Sequence, residues 1–133
     1  MSYSGRCLCG QVSYEFPNAP AMTGICHCKN CQRQAGSAFS TLAGVRRSEF
    51  TMTGEPTLYM DGDTLSGNQV ERYFCGTCGS PIYSLIPSQP DTVFLKSGTM
   101  DDTSDFEPQF HAWCSTKQNW VELAEGVPQM DSQ

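Results

Sequence analysis

Positive charge is scarce in this 133-residue chain: 8 Lys and Arg stand against 14 Asp and Glu, for a formal net charge of −6. A polyanionic backbone is a poor partner for such a surface, so no nucleic-acid partner is expected and a zinc ribbon that reads DNA is disfavoured. Long apolar runs are missing as well. No stretch of about 18 apolar residues is present to span a membrane, and no membrane partner is expected. The opening residues MSYSGRCLCG lack the basic and apolar regions of a secretory signal, which points to the cytoplasm. There is no repeat, no low-complexity tract and no long linker. The length fits one domain with a single hydrophobic core, taken as residues 1–133.

Helical periodicity is equally rare. The best helix candidate is one or two turns around Asn30 to Ala35, closed by Gly36 at a C-terminal cap. The rest consists of short alternating apolar segments broken by Gly, Pro, Asn and Asp, which is the texture of a mainly β fold. In GQVSYEF the residues Val12, Tyr14 and Phe16 share one face. AFSTLAGV, PTLYM, QVERYF, PIYSLI, TVFLKSG and FHAWCS are further strand candidates. In the last of these, alternation places Phe110, Ala112 and Cys114 on one face and His111 with Trp113 on the other. The tail EGVPQMDSQ has no periodic pattern and is expected to be loose.

What the chain has in abundance is cysteine, eight in all. In a reducing compartment, closely spaced cysteines hold metal or do chemistry more often than they form disulfides. They fall as Cys7 and Cys9, then Cys26, Cys28 and Cys31, then Cys75 and Cys78, with Cys114 alone. A structural zinc takes four ligands in a closed tetrahedron, and two short loops from distant parts of the chain supply them without strain. Cys7, Cys9, Cys75 and Cys78 fit this arrangement. Gly10, Gly76 and Gly79 permit tight turns whose backbone N–H groups can point at the sulfurs. Iron also accepts four sulfurs, so the ligand set is better fixed than the metal.

The middle group offers three thiolates, the ligand count of a catalytic zinc with one open position. Cys114, His27 or His111 could instead close that tetrahedron. His27 lies between two ligands and should point away from the metal they share. Cys114, in a strand-like run, reads more readily as a small buried hydrophobe. Positive charge gathers beside the thiols at Lys29 and Arg33, with Arg46, Arg47 and Lys96 as further candidates to draw in an anionic small molecule.

GRCLCGQVSYEF, CHCKNCQRQAGSAF, FCGTCGSPIY, LKSGTMDD and PQFHAWCSTKQNWVEL together resemble the glutathione-dependent formaldehyde-activating enzyme family, whose other branch includes the centromere protein V-like proteins. The likeness runs from about Gly5 to Pro128. It implies a two-zinc domain of coiled antiparallel sheets, the β-tent or Mss4-like fold. Cys7, Cys9, Cys75 and Cys78 would hold the structural zinc, and Cys26, Cys28 and Cys31 the catalytic one. The implied activity is that of a carbon–sulfur lyase, with glutathione and formaldehyde joined as S-hydroxymethylglutathione. The family pattern gives Cys114 no role.

Three thiolates leave a bound zinc weakly acidic toward water, which favours delivery of a coordinated thiol over hydrolysis. Attack on a small aldehyde then needs proximity and a proton donor for the new alkoxide, and His111 is the candidate. The competing expectation is a zinc-dependent module that binds or carries thiols without turnover.

Overall fold

Short strands make up most of the regular secondary structure in the computed structural model, which describes residues 2–132. They are β1 (Tyr3–Arg6), β2 (Ser13–Phe16), β3 (Met22–Cys26), β4 (Ser40–Arg46), β5 (Thr51–Thr53), β6 (Thr57–Asp61), β7 (Val70–Phe74), β8 (Pro81–Leu85), β9 (Thr92–Lys96) and β10 (His111–Ala112). A short helix, α1 (Lys29–Ala35), lies between β3 and β4. The strands form two sheets, a 3-stranded one ordered β1-β2-β5 and a 7-stranded one ordered β10-β3-β4-β9-β8-β7-β6. Every neighbouring pair is antiparallel except β10 with β3, which is parallel. The architecture is thus mainly β with little helix, as the sequence texture implies. No helix among the described residues is long and apolar enough to cross a membrane.

Strand alternation decides which face of the large sheet is which. Across β4 and β9, Ala43 pairs with Leu95 and Val45 with Val93, and all four are buried in the main core. That core closes against Val12, Tyr14 and Phe16 of the small-sheet region, the three residues whose alternation marks them as inward-facing. Each such buried side chain contributes about 1.5–3 kcal/mol relative to exposure. The intervening residues of the same pairing, Leu42 opposite Lys96 and Gly44 opposite Phe94, turn to the other face. There Leu42, Phe94 and Lys96 line a cavity.

α1 is set by its two ends. Cys28 is the N-cap, its sulfur accepting the Cys31 N–H, and Gly36 is the C-cap at φ 63, a left-handed conformation that favours glycine. Two expectations fail further along. The FHAWCS segment does not run as one strand: β10 stops at Ala112 because Trp113 adopts a left-handed φ of 58, and Cys114–Thr116 turn into a single 3-10 turn. The alternation that placed Cys114 with Ala112 therefore ends before it reaches Cys114. The tail is not loose either. Pro128 accepts the His111 N–H at 2.9 Å, Met130 donates back to His111 at 2.8 Å and accepts from Cys114 at 2.9 Å, which holds the tail along β10. Hydrogen bonding to an open strand edge ties down a segment that has no apolar period of its own.

Candidate metal centres and the adjoining cavity

Two turns build the first cysteine group. Cys7 follows β1 and Cys75 follows β7, and each opens a tight loop that brings a second cysteine, Cys9 or Cys78, back beside it. Gly10 at φ 83 and Gly79 at φ 81 supply the left-handed residue in each loop. The loops are stitched to each other by Leu8 N–H to Ser80 Oγ at 3.0 Å and by Thr77 Oγ1 to Gln11 Oε1 at 2.8 Å. Backbone N–H groups point at the sulfurs, Val12 to Cys7 at 3.3 Å and Cys78 to Cys75 at 3.5 Å. The Ser80 hydroxyl, 3.2 Å from Cys78 Sγ, holds that thiol down at about 5.

All four sulfurs lie within 4.8 Å of one another. In a tetrahedral zinc site with Zn–S bonds of about 2.3 Å, the sulfurs stand about 3.8 Å apart. Here Cys7 to Cys9 is 3.6 Å and Cys9 to Cys75 is 3.7 Å. The donor set and its spacing fit the metal.

The second group comes from one end of β3 and the start of α1. Cys26 closes β3, Cys28 caps the helix and Cys31 lies in its first turn, with the three sulfurs again within 4.8 Å. Cys31 is pulled down to about 2, first by hydrogen bonds from Cys26 and Cys28 and further by the nearby charges of Lys96 and Arg72. Cys26 is pushed far up by the same neighbouring sulfurs and by burial. Each thiolate opposes ionisation of its neighbours, and a bound cation would favour the deprotonated form of all three. Among the described residues no fourth Cys, His, Asp or Glu joins the group. Cys114 belongs to neither cluster; its sulfur lies 3.6 Å from the His111 carbonyl.

A cavity of about 570 Å³ opens over the three cysteines. Its walls are largely apolar, with Met22, Leu42, Ile86, Phe94, Phe110 and Trp113, while Arg72, Ser84 and Lys96 reach it from the floor of the large sheet. No cysteine of the four-sulfur group lines it. Lys96 is buried, donates to Ser40 Oγ at 2.5 Å, and is lowered by that burial to about 8, with the Cys31 charge acting in the opposite sense. Arg72 Nε pairs with Asp61 Oδ2 at 2.8 Å. Burial resists ionisation of Asp61, but hydrogen bonds from Asn30 and Arg72 outweigh it and hold the carboxyl below its ordinary value.

Several of the residues that the sequence singles out lie elsewhere, for physical reasons. Lys29 and Arg33 are on the exposed side of α1 and do not line the cavity, nor do Arg46 and Arg47. His111 is buried and turned into the protein, its Nδ1 3.0 Å from His27 Nε2, and it does not line the cavity either. The strand pairing of β10 with β3 presents the neighbouring Ala112 to the cavity instead. Arg72 and Ser84 carry no motif. A charged and a hydroxyl residue set among the apolar residues of QVERYF and PIYSLI is the only signal that could have marked them.

Comparison with known proteins agrees with this architecture. A crystal structure of a Rhodobacter sphaeroides protein matches 96% of this chain and 98% of its own at a TM-score of 0.57 and 21% identity, a likeness of fold. A Podospora anserina protein provisionally named a glutathione-dependent formaldehyde-activating enzyme is 27% identical over 118 residues, which span 84% of this chain and 54% of that protein. An uncharacterized lyase of Schizosaccharomyces pombe is 24% identical over 98 residues, 71% of this chain and 66% of its own length. The chain thus spans about half to two thirds of these relatives. The profile described as glutathione-dependent formaldehyde-activating enzyme matches residues 2–116, and the chain belongs to that family.

Proposed function

We propose that the chain is a carbon–sulfur lyase-type enzyme that forms or cleaves a thiol–aldehyde adduct, with glutathione and formaldehyde as its substrates. The observation that carries this reading is the contrast between the two cysteine groups: three sulfurs face a cavity, and the other four sit together away from it. In this reading Cys7, Cys9, Cys75 and Cys78 hold a structural zinc. Cys26, Cys28 and Cys31 hold a second zinc, which when bound supplies a position where a thiol is kept as thiolate near neutral pH. The eight thiols, none in a disulfide, accord with a reducing compartment such as the cytoplasm.

The chain's own residues then have distinct tasks. The apolar walls exclude water and confine the aldehyde beside the sulfur. As the S–C bond forms, the carbonyl π pair moves to oxygen. Lys96 Nζ supplies the proton that oxygen takes up, and the proton released by the thiol restores Lys96. Lys96 takes this task from His111 because it lines the cavity and His111 does not. Exchange spectroscopy by NMR on glutathione plus formaldehyde, with and without the zinc-loaded protein, tests the reading directly. Acceleration over the spontaneous adduct reaction is expected. Its absence, with thiol binding retained, would leave a binding module in place of an enzyme.

A further inference from the structure

The floor of the cavity carries hydrogen-bond donors that the adduct chemistry does not use. Arg72 on β7 pairs directly across the ladder with Ser84 on β8, and Ser84 pairs with Phe94 on β9, two residues before Lys96. The three polar side chains thus form a row over adjacent strands, held by hydrogen-bonded sheet rather than by loops. Ser84 is 4% exposed, yet its Oγ has no hydrogen-bond partner among the described residues. Buried hydroxyls without protein partners are rare, and one that lines a cavity is free to bond to a ligand atom there. Beside it, Arg72 is 6% exposed and engages Asp61 through Nε, which leaves the terminal nitrogens of its fork without a side-chain partner among the described residues.

We propose that Arg72 and Ser84 form a carboxylate-binding subsite in this cavity, and that its ligand is a small acid with an apolar body. The geometry argues for each half of that description. Arg72 offers only donors, in a planar fork that matches the two oxygens of a carboxylate, and the Ser84 hydroxyl adds one more donor from the next strand. Asp61 balances Arg72, and Lys96 stands on the same floor opposite the charge of Cys31. The walls above, Met22, Leu42, Ile86, Phe94 and Phe110, are apolar and suit a phenyl ring or a short alkyl chain. A volume of about 570 Å³ falls in the range of small-molecule sites. The subsite goes beyond the adduct reading and stands without it.

The test uses isothermal titration calorimetry on the full chain with its metals in place. The probes are 3-phenylpropionate and its uncharged isostere 3-phenylpropanamide. Neither carries a thiol or an aldehyde, so binding is measured whether or not the protein catalyses adduct formation. The acid is expected to bind at least about tenfold more tightly than the amide, since hydrogen bonds to a charged partner exceed those to a neutral one by that order. Ser84→Ala removes a hydroxyl with no hydrogen-bond partner among the described residues, so folding is kept, and the acid's affinity is expected to fall about tenfold. Arg72→Gln should weaken it further wherever its thermal transition shows a folded chain. Equal affinity for acid and amide, no binding of either, or an unchanged affinity in Ser84→Ala, as for a carboxylate bound directly to a metal, would each overturn the assignment.

Discussion

Asp61 and Arg72 face each other with Oδ2 and Nε 2.8 Å apart, their side chains only 10% and 7% exposed. Both oxygens of the same carboxylate accept from Asn30 Nδ2, at 3.2 and 3.0 Å, and Asn30 lies between Cys28 and Cys31. One buried acid therefore ties the helix that carries two of the three cysteines to the strand that carries the cavity's arginine.

Breaking that pair from one side should be costly. Asp61→Asn leaves the Arg72 charge buried without its counter-charge and is expected to lower stability by about 3–5 kcal/mol, read by denaturant unfolding. The pH dependence follows from the sign of the shift. The Asp61 carboxyl is held below its ordinary value, so its contribution is complete above about pH 4 and fades as pH falls through the lower folded value. The stability gap between wild type and Asp61→Asn should close on acidification; a gap that stays constant would place the cost outside the carboxylate charge.

Metal content separates the two cysteine groups. Purified protein should contain about two zinc ions per chain by elemental analysis, since each group has the ligand count for one. Cys75→Ser opens a four-ligand site that clips the β1 loop to the β7 loop, and should unfold or aggregate the chain, because such sites contribute on the order of 10 kcal/mol to folding. Cys28→Ser should leave a folded chain with one zinc. Equal loss of stability in both variants would make the second site structural as well.

The open coordination position has its own readout. Four sulfurs at one zinc and three at the other give an average of about 3.5 in zinc-edge X-ray absorption, rising toward four when glutathione is added. Cys114→Ser should change neither value, because Cys114 lies apart from both groups. An average of four in the unliganded protein that drops with Cys114→Ser would close the site and remove the case for catalysis.

What could be read from the sequence depended on how locally each feature is encoded. The loops that carry the cysteines, the short helix and the Gly36 cap are all set within a few residues, so spacing and cap chemistry reveal them. The face of β2 is as local, and Val12, Tyr14 and Phe16 are buried as alternation requires. The cavity floor is different. Arg72, Ser84 and Lys96 meet only because β7, β8 and β9 take one particular register, which no single strand specifies. The end of β10 depends on one residue, Trp113, adopting a conformation that non-glycine residues seldom take. The tail is ordered by an edge it meets in space, and no periodicity could announce that.

The last prediction separates the two candidate proton donors. His111 is lowered by burial and hydrogen-bonded to His27 behind the cysteine loop, so its ring has no route to an adduct forming in the cavity. Lys96 lines that cavity and sits near 8, where a protonated and a neutral form coexist close to neutral pH. Loss of a general acid typically costs about 10²–10⁴-fold in rate. Lys96→Met, which keeps the length and apolar stem of the side chain, is therefore expected to lower the protein-dependent exchange rate between formaldehyde and its glutathione adduct by at least about a hundredfold. His111→Asn breaks the buried bond to His27 and should lower the unfolding midpoint, while the exchange rate per folded chain stays within a few-fold of wild type. A collapse of the rate in folded His111→Asn, with Lys96→Met near wild type, would return the proton to the histidine and require the β10 segment to turn its ring toward the cavity.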